Sequence, residues 1–491
     1  MDRGSAYSRL LDDAMRGKIS RRAILRRGAV LGLSAPAIAS ILAACGGEEE
    51  TATTTSGGAT GSPTARATAS PGGGRATATV GGGAYSMDSP PPVANAEAAS
   101  QYSGQQITYY GDTVGVGAQM DQALASRFTQ DTGIQVNIIP KPQSATENYS
   151  TYQRLFQGQS ADVDVMMLDV IWPGAFAPHL LDLTDALGSE AQQHYESIIQ
   201  NNTIDGRLIA MPWFGDFGIL FYRTDLLDKY GYDAPPATWE ELQQMAQEIM
   251  TGEQGTAAEF TGFVFQGSAY EGLTCNALEW IASTGGGRIM DGNEVTLNNE
   301  QAIAILNQAR GWIGTIAPRG VTSYQEEDAR NVFQGGNAVF MRNWPYAYAA
   351  GNASDSPIRG MFDVAPLPAS EGEDHVGTLG GWQLGVSAYS RAPEAAIEFV
   401  RYMTGPDVQT WRAVLGSYVP TIPDVAEQED VVQAMPFLEN LQDVERVPRP
   451  SSQTGERYNE VSTRFFQGVS QILNGQDAAE VVPQIAQQIE R

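Results

Sequence analysis

Val163-Asp164-Val165-Met166-Met167-Leu168 is a largely apolar run of strand length, the pattern of a strand covered on both faces. Upstream of it, residues 149–156 read as a helix. Residues 134–139, Ile-Gln-Val-Asn-Ile-Ile, alternate and are β-branched, which predicts a strand. Asp131-Thr132-Gly133 is a turn, and before it Met120, Leu124 and Phe128 recur at helical spacing. Ile107-Thr108-Tyr109-Tyr110 reads as a strand ending at Gly111. Strand, helix, strand, helix, strand predicts an α/β fold with a largely parallel sheet.

Downstream the pattern continues in a second α/β section. Thr238 and Glu241 are spaced as a capping box for a helix running to about Met250. Residues 301–312 are periodic, and 338–341 form a short apolar strand. Pro393 opens a helix that Gly405 closes. Residues 461–489 read as helical with a polar surface. The body from Gln106 onward holds nearly 390 residues, too many for one core, so two lobes are expected.

Ahead of the body the sequence reads as an address. Residues 1–27 carry eight basic and three acidic groups, and residues 28–42 are an apolar stretch too short to span a bilayer. A basic segment before a short apolar one is the pattern of a secretory signal. Ser20-Arg21-Arg22-Ala23-Ile24-Leu25 resembles a twin-arginine signal, with the general export route as the alternative because Arg26-Arg27 supplies a second pair. Leu42-Ala43-Ala44-Cys45 resembles a lipobox, which makes residues 1–44 the signal and Cys45 the lipidated first residue of the mature chain. From Glu48 to about Ser103 the chain is mostly Gly, Ala, Thr, Ser and Pro, so residues 45–105 are expected to be a lipidated cysteine and a disordered tether. An extracytoplasmic body held to the membrane only by that lipid follows.

Composition excludes several functions. The 491 residues carry 30 Lys+Arg against 57 Asp+Glu, a net charge of −27, and Lys18, Lys141 and Lys229 are the only lysines. That balance argues against nucleic acid, whose binding needs clustered cations. The histidines at 179, 194 and 375 have no metal-ligand spacing, and no nucleophile elbow or P-loop occurs. Cys275, alone in the mature chain, reads as a small buried residue. No catalytic residue, metal or cofactor is expected.

What stands out is tryptophan beside acid, glycine or proline at strand ends: Asp169-Val170-Ile171-Trp172-Pro173, Pro212-Trp213-Phe214-Gly215-Asp216, Arg342-Asn343-Trp344-Pro345-Tyr346 and Gly380-Gly381-Trp382. Ligands of open α/β sheets sit at strand carboxyl ends. A tryptophan face packs on the apolar C–H face of a sugar ring, and carboxylates accept from its hydroxyls. The pattern points to a saccharide-binding cleft. An exported glycoside hydrolase and a receptor for another polar solute are the alternatives.

At these residues the chain resembles the extracellular solute-binding proteins of ABC sugar importers, specifically the trehalose/maltose-binding group. The matching stretches run in order from Asp162-Val163-Asp164-Val165 through Met211-Pro212-Trp213-Phe214, Phe221-Tyr222-Arg223-Thr224-Asp225-Leu226-Leu227, Tyr270-Glu271-Gly272-Leu273 and Leu379-Gly380-Gly381-Trp382 to Val447-Pro448-Arg449-Pro450. The resemblance implies a two-lobed, periplasmic-binding-protein-like fold of the maltose-binding type (type II), with a hinge and an interlobe cleft. Lobe 1 would be 106–216 plus 366–420 and lobe 2 would be 217–365 plus 421–491, with crossings near residues 216–220, 364–367 and 419–423. It implies a monomeric receptor for a disaccharide or short α-glucoside, which delivers its ligand to a membrane permease. By matching motif, Asp169 and Asp216 accept sugar hydroxyls, Phe214 stands at an aromatic position, Trp344 and Trp382 stack on the rings beside the Gly381 backbone, and Arg449 donates. Tyr270, Glu271 and Gly272 are further candidates. Two stretches depart from the relatives, 113–120 and 451–456. In the first no acid is present, so Asp112, Gln119 or the Gly115 and Gly117 backbone would substitute.

Overall fold

The computed structural model describes residues 77–80, 83–255, 257 and 259–490, all within the unit Gly72–Arg491. The expected signal, Cys45 and the first part of the tether lie outside the described residues. The architecture is α/β, with two sheets that organise two lobes.

In the first lobe, strand Gln106–Gly111 pairs in parallel with Gln135–Pro140 on one side and Val165–Asp169 on the other. The helices Gly117–Thr132 and Ala145–Gln157 connect them. Val165–Asp169 is buried along its whole length, as the apolar run Val165–Leu168 requires. The sheet is less parallel than expected. Strand Val376–Val386 joins Val165–Asp169 antiparallel and carries Met211–Phe217 antiparallel as well. It enters from the other lobe, so its direction is set by that return.

The second lobe is built on strands Thr261–Val264, Ala338–Asn343, Ile219–Tyr222 and Asp363–Ala365. Its core packs Trp312 against Trp239, tilted, and Trp280, edge-on, with ring centroids 5.5 and 5.6 Å apart. Both halves of the Thr238–Glu241 capping box form ahead of helix Trp239–Glu253. The expected C-terminal helix is two, Tyr458–Leu473 and Ala478–Ile489, because Gly475 adopts a left-handed φ of 113° between them.

The tether also differs from expectation. Ser86, Pro91 and Val93 are bonded to the first lobe: Trp411 Nε1 donates to Ser86 O (3.0 Å), Tyr402 Oη to Pro91 O (2.7 Å), and Val93 N to Asp131 Oδ2 (3.0 Å). Val93 and Ala99 are buried in that lobe's core. The composition hid this because the segment offers few apolar groups. It is held largely through carbonyls, and a proline run leaves no N–H groups to satisfy.

The chain passes between the sheets at Gly218 and again in residues 366–375. Around the first crossing sits a fully buried ion pair. Arg342 gives Nε to Glu279 Oε2 at 2.8 Å and Nη2 to Glu279 Oε1 at 2.5 Å, and Thr378 N donates to the same Oε1 at 3.1 Å. A Cβ on Gly218 would lie 1.9 Å from Glu279 Oε1 and 2.5 Å from Arg342 Nη2. Only glycine lets the crossing pass this pair. Gly218→Ala is therefore expected to displace it and destabilise the fold by about 3 kcal/mol, the scale of a broken buried pair. Denaturant unfolding of the variant beside the parent chain measures this, and a difference below about 1 kcal/mol would show that the pair yields without cost.

Candidate functional site

The site is assembled by strand register. Trp382 lies opposite Asp169 on one neighbouring strand and opposite Phe214 on the other, while Gly380 lies opposite Asp216. Side chains directly paired, or two residues apart, share a face. One face of this three-strand ribbon therefore carries Asp169, Trp382, Phe214 and Asp216. The two glycines beside them are required. Gly381 has a φ of 127°, and a Cβ there would come within 2.7 Å of Phe214 O. A Cβ on Gly380 would meet the Trp344 ring at 3.1 Å and Asp216 Cβ at 3.2 Å. The Gly-Gly step thus lets a tryptophan of the second lobe lie directly on the first lobe's backbone.

These groups line one cavity between them. Asp169, Phe214, Asp216, Glu271, Gly272, Trp344, Gly381, Trp382 and Arg449 all line it. Of the expected residues only Tyr270 does not. It is buried beneath Gly272, where a Cβ would lie 2.2 Å from the Tyr270 hydroxyl, so it supports the wall. Trp172 and Trp213 are corrected too. Both are buried core residues, Trp172 edge-on to Trp382 at 5.6 Å and Trp213 under the Arg412 guanidinium at 3.7 Å. Two of the four strand-end tryptophans therefore face the cavity. Trp344 rests on the Arg342 guanidinium, 3.9 Å from its ring centroid.

The charged groups are unevenly paired. Arg449 holds Asp169 through both terminal nitrogens (2.6 and 3.3 Å) and reaches Glu271 Oε1 at 2.9 Å. Glu271 also accepts from Tyr458 and from Ser462 Oγ (2.7 Å). Its own N–H donates to Thr146 Oγ1 of the other lobe at 3.1 Å. Arg449 thereby ties a first-lobe carboxylate to a second-lobe one. Glu271, Cys275 and Glu279 are spaced four apart on one helix face, which brings the buried free thiol of Cys275 into the cavity wall. Burial pushes that thiol's pKa up, the state of an unreactive cysteine. Among the described residues, no group of three or more His, Cys, Asp or Glu is placed to hold a metal ion.

Just ahead of the departing stretch 113–120, Asp112 is the acid that reaches the cavity, held by Thr113 N (2.8 Å), Val114 N (3.2 Å) and Tyr418 Oη (3.2 Å). Gln119 is exposed, and Gly115 N donates instead to Glu327 of the second lobe (3.4 Å). The second departure folds as a short helix, Ser451–Thr454, and a 3-10 turn, Gly455–Arg457, neither of which lines the cavity. The sequence reading missed Lys141, Glu326, Tyr346 and Tyr418, which line the cavity from four separate segments. The scarcity of lysine was the one available signal, and it marked Lys141 as unusual without placing it.

Residues 110–410 match the family model of the bacterial extracellular solute-binding proteins. A probable ABC transporter-binding protein of Deinococcus radiodurans is 49% identical over 385 residues, 78% of this chain and 92% of that protein. The chain belongs to the bacterial extracellular solute-binding proteins. Among solved solute-binding proteins, maltose-bound MalE3 of T. maritima is similar at a TM-score of 0.75 and 38% identity, covering 79% of this chain and 99% of that one. A Thermotoga lettingae solute-binding protein bound with α-D-tagatose shares the fold at a TM-score of 0.70 and 21% identity, covering 79% and 99%.

In this solute-binding protein Asp216 is the group most out of balance. It is largely buried at the cavity wall, and no hydrogen bond to its side chain is found among the described residues. Burial pushes its pKa well above the usual carboxylate range, the charges of Asp112 and Asp169 add to this, and Arg342 and Arg412 oppose it. The folded chain therefore holds a proton on Asp216 that the unfolded chain releases once pH exceeds the ordinary carboxylate range. Across that window, up to the raised pKa, stability falls as pH rises. Asp216→Asn is expected to flatten this part of the profile and to raise ligand-free stability at neutral pH by about 1–3 kcal/mol. Calorimetric unfolding of both chains between pH 4 and pH 8 checks it; parallel profiles would show that Asp216 carries no such burden.

Proposed function

We propose that this chain is the substrate-binding lipoprotein of an ABC sugar importer, binding a disaccharide or short α-glucoside between its lobes and handing it to a membrane permease. Maltose and trehalose are the leading ligands. The observation that carries the reading is that Trp344, which directly follows the second-lobe strand Ala338–Asn343, and Trp382, in strand Val376–Val386 of the first lobe's sheet, line one cavity with the carboxyl group of Asp216. Two apolar faces suit the C–H faces of sugar rings. Carboxyl oxygens suit hydroxyls that need an acceptor. The maltose in MalE3, a structure 38% identical to this chain, supports the same class. The lipobox-like stretch ending at Cys45 supports an anchor on the outer face of the cell membrane, with the body acting as a monomer and without catalysis. Closure about these interlobe crossings would bring both lobes onto the ligand.

Tryptophan fluorescence and titration calorimetry with maltose, trehalose, sucrose and a set of amino acids test this. Saturable binding of one disaccharide, recovered unchanged after long incubation, is expected. Trp344→Ala and Trp382→Ala are each expected to cost about 1–3 kcal/mol, roughly tenfold to a hundredfold in affinity. Trp172→Phe and Trp213→Phe should change stability and leave affinity within threefold. Binding of an amino acid but of no saccharide would sink the sugar reading, and turnover of the bound sugar would replace a receptor with a hydrolase.

A further inference from the structure

Lys141 is 3% exposed, although lysine is almost never buried to that degree without a partner. It follows strand Gln135–Pro140, and its N–H donates to Gly111 O at 3.1 Å. That places it at the carboxyl end of a parallel strand, beside Asp112 at the same end of the neighbouring strand. Its Nζ lies 4.5 Å from the Trp382 ring centroid. It also lies 3.7 Å from Asp112 Oδ1, beyond hydrogen-bond reach. Asp112 is already served by two backbone N–H groups and the Tyr418 hydroxyl. Arg449, the other cation lining the cavity, commits both terminal nitrogens to Asp169 and Glu271. Lys141 therefore brings an ammonium with no hydrogen-bond acceptor among the described residues to a cavity rich in acceptors.

We propose that Lys141 contacts the ligand and determines which saccharide is accepted. It donates to one hydroxyl of the sugar ring nearest Trp382, while Asp112 accepts from the adjacent hydroxyl. This rests on the saccharide reading above. An ammonium only donates and a carboxylate only accepts, so the couple reads two neighbouring hydroxyls with opposite hydrogen-bond sense. A wall of carboxylates alone imposes no such order. An epimer at either carbon loses one of the two bonds, and an amino group in the donor-facing position meets a like charge.

The test is titration calorimetry of the exported protein and its Lys141→Met variant with maltose, trehalose and the monodeoxy analogues of whichever binds. Methionine keeps the packing on Trp382 and removes the charge and its donors. The variant is expected to bind the parent sugar tenfold to a hundredfold more weakly, with an unchanged or raised Tm. The loss should vanish for the single analogue that lacks the hydroxyl Lys141 contacts. Lys141→Gln, which retains a donor, should fall between the two and carries the test if the methionine variant does not fold. A loss below threefold, or an equal loss for every analogue, overturns the proposal. Failure of the parent protein to bind any saccharide overturns the saccharide reading and this inference with it.

Discussion

The buried Arg342–Glu279 pair is the constraint from which the hinge and the site both follow. Removing two charges from water is recovered only when every donor and acceptor is placed. Here the placement is supplied by elements that must then stay together. Glu279 comes from the helix that begins at Glu271, Arg342 from the second lobe's central strand, and Thr378 N from the strand that returns to the first lobe. Gly218 passes alongside with no space for a side chain. Both crossings are thus fixed to one ion pair. The outer face of the same guanidinium is the shelf on which Trp344 lies. A change at this pair would move a hinge strand and a cavity-lining ring together.

Arginine under an aromatic ring recurs at Arg412, which lies 3.7 Å from the Trp213 ring centroid and 4.1 Å from that of Tyr418. All but three of the chain's 30 cations are arginine. A planar guanidinium satisfies carboxylates at its edge while its face packs on a ring, so it can be buried in an acidic protein and still serve as part of a wall. Lysine lacks that second surface. This is the physical reason the buried Lys141 reads as a group kept for its donors.

Local periodicity made much of the fold legible. The strand 163–168, the helices after 120, 238 and 393, and the need for two lobes follow from spacing, capping residues and length. Pairing was not legible. Asp169, Phe214 and Trp382 meet because an eleven-residue strand, Val376–Val386, returns antiparallel between two others, and no local signal sets that register. Motif resemblance brought those residues to one site where periodicity could not. It could not separate facing tryptophans from buried ones, since Trp172 and Trp213 stand beside the same glycine, proline and acid neighbours. Lys141 and Glu326 escaped notice for a related reason: one buried lysine and one glutamate among many acids look like surface residues until the strand ends are assembled. The strap at residues 85–105 failed in the opposite sense, its composition reading as tether while its carbonyls find buried donors.

On the proposed reading, the same carboxylate serves both affinity and control. Arg449 bridges Asp169 and Glu271 across the cleft, so the protein carries an internal bond that favours closure. Left unopposed, that bond would close the lobes on water and spend the ligand's binding energy on nothing. Asp216 supplies the opposition. The cleft as it stands holds Asp216 largely buried at the cavity wall, where burial pushes its pKa up and a donor from a ligand would be favourable. A hydroxyl donor offsets that burial and leaves the Arg449 bridge intact. Ligand and closure are then coupled through a single desolvation term, because a ligand shifts a conformational equilibrium only by its differential affinity for the two states. A site whose carboxylates were all paired internally would bind a sugar's apolar faces equally well, and its lobes would have no reason to wait for it.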